Sequence, residues 1–149
     1  MDLERVLIWV HVSAVIAGLG ALFATPLLMG LARRSPPEQA AALHRAQRAI
    51  GTRIATPGLL VVFLAGALLA TIDDVWSEIW VTVPITIALI LGGIGGAILA
   101  PRERRLIDLA EGGGGAEYQR VLGQVQAAST ISLALVLVAA FFMITKVGG

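Results

Sequence analysis

The sequence predicts an all-α integral membrane protein, a four-helix bundle with both ends on the non-cytoplasmic side. Three observations predict it: four long apolar stretches, too few charges to clothe a water-facing exterior, and arginines gathered on one flank. Of 149 residues, 57% are hydrophobic and 14% are charged, and the mean hydropathy is +0.86. A soluble domain carries about 25% charged residues. Four spans of roughly 20 residues each use more than half of a chain this long, so one transmembrane domain over residues 1–149 is expected. The net charge of +1 argues against nucleic acid as a partner, and the absence of cysteine excludes disulfides, iron–sulfur clusters and thiol catalysis.

The first span is read from about Val6 to Leu31. It follows Asp2, Glu4 and Arg5 rather than a basic leader and runs past the usual ~7–15 residues of a signal-peptide core, so it is expected to be retained. Ser35–Pro36–Pro37 then breaks the helix, because proline lacks the amide donor and restricts the residue before it. Glu38 to Arg53 is polar and helix-favouring and is read as a cytoplasmic extension of the second span, about Ile54 to Ile72, with Pro57 expected to kink it. Asp73, Asp74 and Glu78 make an acidic turn beside Trp76 and Trp80, an interfacial aromatic belt. The third span, about Ile79 to Ala100, is expected to close at Pro101 and Arg102–Glu103–Arg104–Arg105. Gly112 to Gly115 is read as a linker; it has no following Gly-Lys-Ser/Thr and no preceding strand, so it is not a phosphate loop. An amphipathic stretch, Glu117 to Gln126, leads into the fourth span, about Ala127 to Thr145.

Orientation follows from the basic residues. Arg33, Arg34, Arg45, Arg48 and Arg53 lie between spans 1 and 2, and Arg102, Arg104, Arg105 and Arg120 between spans 3 and 4. That is nine of the eleven, leaving only Arg5 and Lys146 on the other side. The positive-inside rule puts both arginine-rich segments in the cytoplasm. The two halves also align at an offset of 72 residues, the separation of Arg33 and Arg105. Gln47–Arg48 then meets Gln119–Arg120, Gly51 meets Gly123, and Gly20 meets Gly92. Such halves would be parallel repeats of a helical hairpin.

Packing between spans is expected to rely on small residues. These are Ala14, Gly18 and Ala21 in the first span, Gly66 and Ala70 in the second, and the Gly92–Gly96 pair in the third. Ordinary packing within the chain is the expected use of Gly92 and Gly96, with a homodimer contact as the alternative.

Charged groups in mid-span cost roughly 2.5–3.5 kcal/mol, so each marks a site. No Asp, Glu, Lys or Arg falls there, which argues against a proton relay or an intramembrane carboxylate enzyme. His11 is the exception, about five residues inside the first span and on the order of 7–8 Å from its outer end. It is either a satisfied structural histidine or a ligand to haem or metal. His44 lies beyond the far end of that span and cannot join it; among Arg45, Arg48 and Arg53 it is read as part of a solvated helix face beside anionic headgroups. Met143 and Lys146 share the depth of His11. A His11–Met143 pair would suit haem iron or Cu(I), which favours thioether ligands.

The run from His11 through Gly18, Gly20, Phe23 and Pro26, with Pro57 opening the second helix, resembles a group of small bacterial four-helix membrane proteins of unknown function. That group is similar in turn to copper-resistance D type membrane proteins and to the haem-binding protoporphyrinogen oxidase of the J type. The resemblance implies a bacterial plasma-membrane location and His11 as the haem or metal ligand, with a b-type haem as the cofactor. Ala17 stands where such sequences often carry Trp, and no lysine in the third span matches the oxidase's second residue, so enzyme activity is not implied. Two readings stay open: a non-enzymatic scaffold or accessory subunit of a homo-oligomer or larger membrane complex, favoured by the scarcity of mid-span polar groups, and a haem- or metal-binding redox protein using His11. A transporter is the weaker third, since only Pro57 and Pro84 interrupt the spans.

Overall fold

The computed structural model describes residues 2–148, and the chain is an all-α four-helix bundle. Its helices are α1 (Leu3–Arg34), α2 (Pro37–Ile72), α3 (Ile79–Glu111) and α4 (Ala116–Thr145), of 32, 36, 33 and 30 residues, each long and apolar enough to cross a membrane. At 1.5 Å per residue they reach roughly 45–54 Å, against a hydrocarbon core of about 30 Å, so each outruns the bilayer by several turns. The excess is at the arginine-rich end. The break at Ser35–Pro36 falls where expected, and Glu38–Arg53 is continuous with the second span. Gly113, Gly114 and Gly115, all at positive φ, turn the chain between α3 and α4.

Helix 3 does not close at Pro101; it runs on to Glu111. A proline inside a helix clashes with the carbonyl four residues earlier and leaves it without a donor. At Pro57 and Pro101 the chain relieves this by widening the preceding turns. Wide π-type turns at Gly51–Ala55 and Ile94–Leu99 come just before Pro57 and Pro101. Pro26 follows a wide turn at Val15–Leu19 and a tight one at Ala21–Phe23. The extra residue in each wide turn lets the helix continue where ideal geometry would stop it.

Neighbouring helices pack in sequence order around the ring, with α1 also against α4. The protruding end carries the densest packing. Met29 of α1, Leu106 of α3 and Leu122 and Val125 of α4 are essentially fully buried there, with Ala40 and Ala41 of α2. Leu106, Leu122 and Val125 stand on the polar continuations of their spans, where the hydrophobic effect operates, and each large side chain buried there contributes about 1.5–3 kcal/mol. Around that core Arg45 pairs with Glu111, Arg105 with Glu117 at 2.8 Å, and Arg33 donates to Gln126 Oε1 at 2.9 Å. Exposed pairs of this kind stabilise little and mainly fix helix register.

Inside the span, close approach replaces hydrophobic burial. Gly18 of α1 meets Gly58 of α2 backbone to backbone; a Cβ on Gly58 would lie 2.5 Å from Gly18 Cα. Gly18 does what the sequence predicted, but its partner Gly58 was not anticipated. Gly92 and Gly96 do not serve packing within the chain: both are exposed, and a Cβ on either would meet nothing within 4 Å. The aligned halves also diverge in detail. Gln47 is buried whereas its counterpart Gln119 is exposed, and the wide turn at Gly51 has no equivalent at Gly123.

Candidate functional site

Two cavities, each of about 350 Å³, adjoin a smaller buried cluster of Ile87, Leu91 and Val136. Leu19, Leu59 and Leu91 line both, so they form the partition between them.

The cavity at the arginine-poor end contains His11. The antiparallel crossing of α1 and α2 at Gly18 and Gly58 brings the ring of His11 over Gly66, whose missing side chain makes room: a Cβ there would sit 3.1 Å from His11 Cε1. The ring bonds the Val62 carbonyl oxygen through Nδ1 at 3.0 Å. A carbonyl only accepts, so Nδ1 carries the proton; in a neutral ring the lone pair is then on Nε2. Nε2 is buried and has no hydrogen-bond partner. The hydrogen bond at Nδ1 thus fixes the tautomer and leaves the Nε2 lone pair uncommitted.

Met143 of α4 lines the same cavity, with Phe63, Pro84 and Val136. Residues that the sequence linked by depth alone therefore share one chamber. Glu4, Asp73 and Lys146 line it as well, and the Lys146 ammonium lies 4.9 Å from the centre of the Trp80 ring. Among the described residues no cluster of three or more His, Asp or Glu side chains could hold a metal ion. Binding of iron or copper here would rest on His11 and one soft partner.

His44 is not on a solvated face. It is 2% exposed on the extension of α2, where its ring meets that of Tyr118 on α4, and its Nε2 bonds the Tyr118 hydroxyl at 2.9 Å. Burial holds its pKa below the ordinary histidine value. A histidine set among arginines in sequence looks solvated; its partner is 74 residues away, and only the fold reveals it.

The second cavity was not foreseen. It lies toward the arginine-rich end, lined by Gln47, Glu103, Ser129 and Ser132. Gln47 Nε2 donates to Glu103 Oε1 at 3.3 Å, and Ser132 donates to the Ala128 carbonyl at 2.9 Å. Gln47 Oε1 and Ser129 Oγ are buried without a partner. Glu103 stands beyond the third span, on the continuation of α3. Burial pushes its carboxyl above the usual range, opposed by the Gln47 hydrogen bond and the charge of Arg48. Buried polar groups are therefore less scarce than the sequence suggested. The available signal was Ser129 and Ser132, one helical turn apart on α4.

Comparison with protein-family models, with curated proteins and with solved structures finds no match for this chain.

Proposed function

We propose that this is a small multi-span protein of the bacterial plasma membrane that holds a haem iron against His11 on the non-cytoplasmic side. One observation carries the reading. Nδ1 of His11 is committed to the Val62 carbonyl while Nε2 is buried and unpartnered. A buried polar atom without a partner is costly, on the order of 1–3 kcal/mol, and an iron–nitrogen bond would remove that cost. The cavity beside it is mostly apolar, as a porphyrin face requires, and Met143 supplies a thioether on its wall. Lys146 gives a cation for a carboxylate substituent. Bound haem would supply reversible one-electron chemistry; the chain's own part is to orient the imidazole and exclude water. The absorbance spectrum of protein purified in mild detergent tests this. A Soret band that disappears in His11→Ala supports the proposal, and a colourless wild type that stays colourless when expressed with excess haem precursor refutes it.

A second reading, an accessory subunit or scaffold, is favoured by the face of α3. Gly92 and Gly96 stand exposed at the edge of the second cavity and leave a small-residue groove that no described side chain enters, the form that close helix association takes in lipid. Gly92→Ile with Gly96→Ile should then release a partner or second copy, read by cross-linking and light scattering. An unchanged mass would count against it.

A further inference from the structure

The cavity near the arginine-rich end has its own chemistry, independent of His11. Its volume of about 350 Å³ is in the range of small-molecule pockets and far beyond what one water or a bare ion needs. Among the described residues lining it, Glu103 alone is charged. Gln47 and Ser129 are only 3% and 5% exposed, and each leaves an oxygen unpartnered. Interiors rarely leave such atoms unmet.

The sign of the missing partner can be read from these bonds. The Glu103 carboxylate fixes the Gln47 amide with its NH₂ outward to the acid, so the free atom, Oε1, only accepts. The Ser132 hydroxyl hydrogen is taken by the Ala128 carbonyl, leaving an oxygen that accepts. What fits is therefore a group rich in donors, and Glu103, the one charged group among the described lining residues with the charge of Arg48 standing off the wall, favours a cation. The rest of the wall is mostly hydrocarbon, from Leu19, Leu22, Leu91 and Leu99, with the threonines Thr25, Thr52 and Thr56 among them. We propose that this cavity binds an amphipathic primary ammonium, its N–H groups on Gln47, Ser129 and Glu103 and its apolar body against the leucines. Glycines on α3, Gly95 among them, provide the space that body occupies.

Benzylammonium, titrated by calorimetry into the purified full chain in detergent, is the probe. Benzyltrimethylammonium keeps the charge without N–H donors, and benzyl alcohol keeps the ring without charge. Saturable benzylammonium binding is expected, with both analogues at least tenfold weaker. Glu103→Gln should weaken benzylammonium more than tenfold. Gly95→Leu projects into open space, since a Cβ there meets nothing within 4 Å; it should abolish binding at an unchanged elution profile. His11→Ala should leave binding intact. Equal heats from all three compounds, or undiminished binding in Glu103→Gln or Gly95→Leu, would overturn the assignment.

Discussion

Substituting Gly58 by alanine puts one methyl group at the closest approach in the bundle. The new Cβ would lie 2.5 Å from Gly18 Cα and 3.2 Å from Gly18 N, where carbon–carbon contacts settle at about 3.5–4.0 Å. Backbone cannot rotate aside as a side chain can, so α1 and α2 must part by roughly 1 Å. Overpacking of this kind costs about 1–3 kcal/mol. The damage reaches the site, because the His11–Val62 bond is only 3.0 Å long and a hydrogen bond weakens beyond ~3.5 Å. Thermal midpoints followed by size exclusion in detergent should fall for Gly58→Ala and for Gly18→Ala. The double variant should lose less than the sum, since one separation relieves both clashes. Gly20→Ala is the control: nothing lies within 4 Å of its Cβ, and alanine is the better helix former. If Gly58→Ala melts with wild type and Gly20→Ala, the helices do not cross there.

Further outcomes follow from the same packing. Tyr118→Phe removes the partner of His44 Nε2 and should destabilise the arginine-rich end by about 1–3 kcal/mol; His44→Phe in the same chain should recover part of that loss. Because burial holds the His44 pKa down, the unfolded chain takes up a proton more readily than the folded one. Stability should therefore be full above the ordinary histidine value near ~6.5 and fall as pH drops below it, down to the lowered folded pKa. Thermal midpoints between pH 8 and 5 should show that slope, and His44→Leu should flatten it. Gly66→Ala puts a Cβ 3.1 Å from His11 Cε1 and should weaken haem binding by displacing the ring while leaving the elution profile unchanged.

The bundle and its spans were legible because lipid imposes a simple requirement: long apolar runs, closed by charge, with every backbone amide bonded inside a helix. The extension of α2 was legible for the same local reason, as an unbroken helix-favouring run from Glu38 to Arg53. What escaped the sequence was pairing between distant positions. Gly58 merely follows a proline in the sequence, and only the fold sets Gly18 against it. His44 looked solvated until Tyr118 covered it. Gln47 and Glu103 stand 56 residues apart, and neither is notable alone. The continuation of α3 past Pro101 was missed because a wide turn, invisible in residue type, absorbs the clash that normally ends a helix. The small-residue rule found Gly92 and Gly96 but not their use, since the same spacing serves a neighbour in the chain or one outside it.

The account depends most directly on the bare Nε2 of His11. Haemin titrated into the purified protein should bind one equivalent in wild type, fail in His11→Ala, and bind again when free imidazole replaces the missing ring. Equal haemin binding by His11→Ala without imidazole would contradict it.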